Sequence, residues 1–199
     1  MKVIGVTGGV GAGKSTVLEI LEEVYGAKPL LADEIGRELM EPGGTCFAPV
    51  VKVFGETVVR PDGRLDRGKI AGLVFGDDEA LDRLNGIIHP AVRQEIEARL
   101  DRLREEERRN GVPVFAVIES AILLEAGYED ICKEIWYVYA SKETRISRLM
   151  ETRGYTRERC LKVMESQMEE GEFKRRASAI LENDGSRKQM EIQIEKLMI

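Results

Sequence analysis

Four glycines followed by Lys-Ser-Thr constrain this chain more than any other stretch: Gly8-Gly9-Val10-Gly11-Ala12-Gly13-Lys14-Ser15-Thr16 comes directly after the apolar run Val3, Ile4, Val6. The spacing is G-x-x-x-x-G-K-S, that of a phosphate-binding P-loop. Glycines let the backbone curl until successive N–H groups converge on phosphate oxygens. A lysine at position 14 then reaches the β and γ phosphates, and a serine hydroxyl at position 15 is a ligand for Mg²⁺. A glycine-rich turn without a ligand needs one or two glycines rather than this full pattern. The flanks supply the structural context: residues 3–7 predict a buried strand, and Val17, Leu18, Leu21, Val24 and Tyr25 form a helical stripe. Gly9, Val10, Gly11, Ala12, Gly13, Lys14, Ser15 and Thr16 are therefore the candidate nucleotide-binding residues, with the amides of 11–16 as the expected cradle.

The rest of the chain predicts one α/β domain with insertions. At 199 residues it can bury a substantial core, and 43% hydrophobic with 33% charged residues describes a soluble globular protein. No apolar run approaches the roughly 20 residues of a membrane helix. The N-terminus opens on a core strand without a secretory-type segment, which predicts a cytoplasmic protein. A net charge of −6 gives no general attraction to nucleic acid. Cys46, Cys132 and Cys160 lie far apart without metal-type spacing and are expected to be ordinary small side chains.

Pro29-Leu30-Leu31-Ala32 predicts a second strand ending on Asp33. In open parallel sheets ligands gather beyond the carboxyl ends of strands, which makes Asp33 a candidate functional acid. Equally, Asp is a preferred N-cap and Asp33 could simply cap the helix that follows. Residues 42–111 break the strand rhythm and predict helices: one over 47–54, short ones around Ile70–Phe75 and Leu81–Ile88, and a longer one opened by His89-Pro90. In that last helix Glu95 faces Arg99 at i,i+4 spacing. Strand rhythm returns at Val114–Ile118, ending on Glu119, at Ile135–Tyr139 around Trp136, and at 179–183. Glu119 repeats the placement of Asp33; it is suited to hold magnesium through water or to pair with Lys14. Residues 142–176 predict two helical segments dense in cations, with Arg145 and Arg148 on roughly one helix face. Such arginines can stabilise charge on a transferred phosphoryl group, although most cations in the run are expected to be solvated surface.

Over nearly its whole length the sequence resembles the dephospho-CoA kinases. Residues 7–16 resemble that family's TGGIGSGKS loop; Ala32-Asp33 with Glu41-Pro42-Gly43 its DAD…EPG segment; Asp62-Gly63-Arg64-Leu65-Asp66-Arg67 with Val74-Phe75 its DG-x-LDR…VF stretch; and Leu84-Asn85 with His89-Pro90 its L-N/E-x-x-x-HP. Leu123-Leu124-Glu125 resembles PLLFE, Arg148 and Gln167 match the lid R and Q, and Asn183-Asp184-Gly185 resembles an N-x-G turn beside adenine. Departures are Leu31, Glu119, Ala121, Thr152 and Ser178, which stand where the family usually carries Asp, Asp, Pro, Arg and an acid.

The resemblance implies a P-loop NTPase three-layer fold with a five-stranded, mostly parallel sheet. It implies a nucleotide-binding core over 1–44, 112–141 and 177–199, a helical acceptor-binding insertion over 45–111 and a lid over 142–176. The implied reaction uses ATP and Mg²⁺ to phosphorylate the ribose 3′-hydroxyl of dephospho-CoA, the last step of coenzyme A biosynthesis. Asp33 would take the hydroxyl proton, and Lys14 and Arg148, with Arg145 or Arg153, would carry charge to the phosphates. Arg67, His89, Leu123 and Glu125 would contact the acceptor, His89 in a binding or structural role rather than as acid or base. Asn183 and Gly185 would border adenine, and Ser15 with Glu119 would serve the metal. A monomer without nucleic-acid or membrane partners is expected. Two alternatives stay open at this point: another nucleoside or nucleotide kinase of the same fold, and a non-catalytic ATP-binding regulator.

Overall fold

The computed structural model describes residues 1–198. Five strands, β1 (Lys2–Thr7), β2 (Lys28–Leu31), β3 (Phe115–Glu119), β4 (Glu134–Tyr139) and β5 (Ala179–Glu182), form one sheet in the order β2-β3-β1-β4-β5. The pairs β1–β3, β1–β4 and β4–β5 run parallel. The helices are α1 (Lys14–Tyr25), α2 (Ala32–Leu39), α3 (Phe47–Phe54), α4 (Arg67–Val74), α5 (Asp78–Asn110), α6 (Lys142–Arg153), α7 (Arg157–Glu165), α8 (Glu170–Arg176) and α9 (Arg187–Met198). This is the α/β P-loop architecture that the resemblance implies. The chain forms two compact units, residues 1–30 with 107–199 and residues 31–106.

In the first unit the central strands β1, β3 and β4 are buried on both faces, which is why they read as continuous apolar runs. Alternate residues divide between the faces. Ile4 and Val6 of β1, Trp136 and Val138 of β4 and Leu181 of β5 pack in one cluster with Val17, Ile20 and Leu21 of α1 and Met190 and Ile194 of α9. Trp136 is fully buried there, a core residue as its strand position predicts. On the opposite face Gly5 leaves room for Leu123 and Cys132, and Tyr137 stacks on Phe173 of α8 at 4.9 Å between ring centroids. Burial lifts the thiol of Cys132 to about 12, so it is inert as a nucleophile at neutral pH. All three cysteines are free.

Thr7, the last residue of β1, is fully buried, and its hydroxyl has no hydrogen-bond partner among the described residues. An unpartnered buried hydroxyl costs on the order of 1–3 kcal/mol. Thr7→Val removes the polar atom and keeps the shape. The expected result is a higher Tm, by about 2–4 °C per kcal/mol in a chain of this size. Calorimetry showing a lower Tm would mean that the hydroxyl is satisfied in solution.

The second unit has its own core, in which Val50, Val58, Leu65 and Ile70 pack with Phe47, Phe54, Leu84 and Ile87. Here the structure corrects one expectation. Residues 78–110 form a single helix with Pro90 inside it, rather than two helices with Pro90 at the start of the second. A proline inside a helix costs about 3 kcal/mol through the lost N–H bond and a clash with the carbonyl at i−4. That position is Gly86, which brings no side chain of its own to the crowded turn. The helix is held by packing on both sides of the proline: Ala80 before it and Val92, Ile96 and Leu100 after it are buried, and Leu84 and Ile87 pack on the second unit's core. Glu95 pairs with Arg99 at 2.8 Å as the spacing predicts, and Arg99 also holds Glu38 of α2. Among the described residues no helix is long and apolar enough to cross a membrane.

Candidate active site

The loop between β1 and α1 is built from both sides of the sequence. Gly13, at φ 87°, is the residue before α1, and a Cβ there would fall on the Asn183 amide. Left-handed backbone and close approach therefore both demand glycine. Gly13→Ala is expected to lower Tm by several degrees, at about 1–3 kcal/mol for the strained residue alone, and to weaken ATP binding; calorimetry and nucleotide titration check it.

The carbonyls of this loop are held from outside. Arg148 of α6 donates Nη1 to Ala12 O at 3.1 Å and to Gly11 O at 3.5 Å, and Nη2 to Asn183 O at 2.7 Å. Asn183 Nδ2 donates to Ala12 O at 2.7 Å and to Gly13 O at 3.3 Å. In a trans peptide the C=O of one residue and the N–H of the next point opposite ways, so these bonds turn the amides of Ala12, Gly13 and Lys14 away from Arg148 and Asn183. The Ala12 amide donates to Gly9 O and the Thr16 amide to Gly13 O, each at 3.1 Å. Those of Gly11, Gly13, Lys14 and Ser15 have no acceptor among the described residues. The expected six-amide cradle is thus a set of four in this conformation. Free N–H groups at a helix N-terminus are an anion site.

Lys14 Nζ donates to Gly8 O at 3.0 Å and lies 3.4 Å from Glu119 Oε1 at the end of β3. Of the two roles expected for Glu119, pairing with Lys14 is realised here. Ser15 is exposed in the first turn of α1.

The cation-rich segment, in three helices rather than two, divides by partner. Arg145 and Arg148 reach the loop. Arg157 forms a two-pronged pair with Glu143, Arg159 lies over the Tyr155 ring at 4.0 Å, Lys174 pairs with Glu170 at 2.6 Å, and Arg176 holds Glu129 and Leu124 O. Arg153 is exposed in the last turn of α6 and lies about 140° around the helix from Arg148. Arg145 sits across Gly9, where a Cβ would meet its guanidinium, and donates Nε to Val10 O at 2.9 Å. Burial pulls its pKa below the ordinary arginine value, opposed by nearby Tyr137 and Glu170. Arginine starts so high that it stays charged.

What aims these two arginines was not legible in the sequence. Asp184 accepts from the Ser141 amide and hydroxyl, each at 3.0 Å, and Ser141 caps α6. The Thr144 hydroxyl, then Ser141 and Arg148, holds the Asp184 carboxyl below its usual range. The β5–α9 turn therefore anchors the start of α6, while its Asn183 anchors the loop. Ser141 with Thr144 three residues on is a helix-start signal; its long-range partner carries none. In the same turn, the side chain of Gln189 lies over Gly185 and accepts from the Ser186 amide at 2.7 Å.

Leu123, expected at the acceptor, is fully buried against Gly5, so in this conformation it is core. Glu125 is exposed. In the second unit Arg67 donates to Arg37 O at 3.3 Å and to Glu41 at 2.9 Å, and His89 is half-buried within α5. Asp33 is exposed in the first turn of α2; the residue before that helix is Leu31, and no side chain caps it. The capping reading of Asp33 therefore falls. Its charge sits favourably at the positive end of the helix dipole, and its oxygens are not used as a cap.

A family model for dephospho-CoA kinase matches residues 2–189. A dephospho-CoA kinase of Geobacter sulfurreducens is 40% identical over 197 residues, 99% of this chain and 97% of that protein. The crystal structure of TT1252 from Thermus thermophilus superposes with a TM-score of 0.83 at 32% identity, over 99% of this chain and 96% of that one. A dephospho-CoA kinase structure from Campylobacter jejuni has a TM-score of 0.70 over 100% and 98% of the two chains; at 24% identity it speaks for the fold alone. A glycine loop with four free amides, a lysine at its end, and a match to one family across the chain converge: the chain belongs to the dephospho-CoA kinase family, enzymes that transfer phosphate from ATP to dephospho-CoA in coenzyme A biosynthesis.

Proposed function

We propose that ATP binds with its phosphates on the amides of Gly11, Gly13, Lys14 and Ser15, and that these residues and Asp33 carry out in-line transfer to the ribose 3′-hydroxyl of dephospho-CoA. The observation that carries this reading is the loop whose outer carbonyls are taken by Arg148 and Asn183 while those four amides stay free. Lys14 leaves Glu119 for the γ-phosphate and neutralises charge as it builds on the transferred group. Arg145, whose guanidinium lies over Gly9 at the loop's first turn, supplies the nearest lid charge. Arg148 acts from behind by holding the loop in shape, and Arg153, exposed at the end of α6, is a second candidate lid charge. Asn183 and Gly185 border the adenine.

Asp33 accepts the proton of the 3′-hydroxyl as it attacks, the role an Asp plays in the general kinase scheme. Arg67, His89 and Glu125 contact the acceptor, with His89 binding rather than transferring a proton. Among the described residues no group of three or more His, Cys, Asp or Glu could hold a metal. That suits Mg²⁺, which keeps several waters and takes one or two protein oxygens beside phosphate oxygens. The Ser15 hydroxyl and the Glu119 carboxylate fit such a donor set. When bound, the ion would neutralise charge on the β and γ phosphate oxygens.

ADP release measured across dephospho-CoA, nucleosides and nucleoside monophosphates tests the acceptor. Turnover is expected with dephospho-CoA alone. Turnover only with a nucleoside monophosphate would make this a nucleotide kinase, and ATP binding without turnover on any acceptor would make it a regulator.

A further inference from the structure

Gln167, between α7 and α8, contacts the loop through a single oxygen. Its Oε1 accepts from the Val10 amide at 3.1 Å and from Arg145 Nη2 at 2.7 Å. Both partners are donors, so the amide oxygen and not the nitrogen must face them. Arg145 closes the ring by donating Nε to Val10 O at 2.9 Å. Both polar groups of Val10 are thus taken, one by the lid glutamine and one by the lid arginine, and the guanidinium is fixed at two of its nitrogens. Val10 also lies outside the four amides left free for phosphate, so this clamp does not compete with the nucleotide for donors.

We infer that Gln167 is a positioning residue for phosphoryl transfer: its amide oxygen ties the Arg145 guanidinium to the first turn of the loop, so that Arg145 meets the transferred phosphate already oriented. The inference rests on the assignment of Arg145 as the lid charge.

The chemistry asks for a neutral acceptor at this point. Gln167 lies in the run Glu165-Ser166-Gln167-Met168-Glu169-Glu170, three of whose six residues are acids. A carboxylate on Arg145 would cancel the charge it brings and repel ATP. An amide oxygen orients the guanidinium through a charge-assisted hydrogen bond and leaves its charge in place. Arginine's planar donor fork needs little further ordering once two of its nitrogens are fixed.

The test is a double-mutant cycle on the full chain with ATP and dephospho-CoA, using Gln167→Leu, Arg145→Ala and the pair, with Tm recorded for each. Gln167→Leu is expected to lower kcat about 10- to 100-fold, as a misplaced charged group does, with a smaller change in KM for ATP and little change in Tm. In the Arg145→Ala background the same substitution is expected to do almost nothing further, because the two act as one unit. Gln167→Glu keeps the oxygen and is expected to raise KM for ATP. The inference is overturned if Gln167→Leu leaves kcat unchanged, if its loss is as large without Arg145 as with it, or if Gln167→Glu matches the parent enzyme. If Arg145→Ala itself leaves kcat unchanged, the assignment of Arg145 fails instead.

Discussion

Replacing Lys14 by methionine is expected to lower kcat about 10²–10³-fold, the usual consequence of removing one preorganised donor from a developing oxyanion. Methionine keeps most of the aliphatic stem and removes only the ammonium. In the ligand-free protein that ammonium rests between Gly8 O and Glu119, 3.0 and 3.4 Å away. Its bond to Gly8 keeps it at the start of the loop proposed to hold the phosphates. The side chain is largely buried and its loss takes the cation from Glu119, so some fall in Tm is expected; a rate measured well below the variant's Tm separates a catalytic defect from unfolding. A quenched-flow measurement of ADP formation with saturating ATP and dephospho-CoA reads the step directly. A normal rate would remove Lys14 from the transfer.

Asp33→Asn should produce a loss of similar or greater size, about 10²–10⁴-fold in kcat, which is what general-base catalysis contributes. Asparagine matches the size of aspartate and can still hydrogen-bond a hydroxyl, yet it cannot take the proton. The expected pattern is a fall in kcat with a modest change in KM for dephospho-CoA, since orientation survives and proton acceptance does not. The structure prepares this assignment by removing its rival: α2 is preceded by Leu31, and no side-chain cap is made. A variant that kept kcat would show that solvent takes the proton.

Much of this was legible in the chain because it is local. The loop motif states its own backbone geometry through Gly8, Gly11 and Gly13, each at positive φ. Continuous apolar runs such as Ala116-Val117-Ile118 announce strands covered on both faces. Pro90 misled because proline's cost is local, whereas the residues on either side of it, Leu84 and Ile87 before and Val92, Ile96 and Leu100 after, are held by tertiary packing. Leu123 shows the same gap between pattern and place: its motif suggests the acceptor, and its surroundings bury it against Gly5.

The division of labour among the cations was the least legible part. Ten lysines and arginines in residues 142–176 look alike on paper. Two of them reach the loop, and others spend their charge on Glu143, Glu170 and Glu129 or on the Tyr155 ring. Arg145 and Arg148, one turn apart, grip the loop at different residues: one takes Val10, the other the outer carbonyls of Gly11 and Ala12.

The sequence by itself determined the phosphate-binding loop, the parallel α/β core and the family, since each rests on short-range pattern: glycines at set intervals, apolar runs, motifs in order. Only the tertiary structure decided which loop amides remain free, which arginine grips which part of the loop, and that Gln167 bonds Arg145 while Asp184 bonds the start of α6. Those facts depend on hydrogen bonds between residues far apart in the chain, 157 positions apart for Val10 and Gln167, and no local periodicity encodes a partner at that distance.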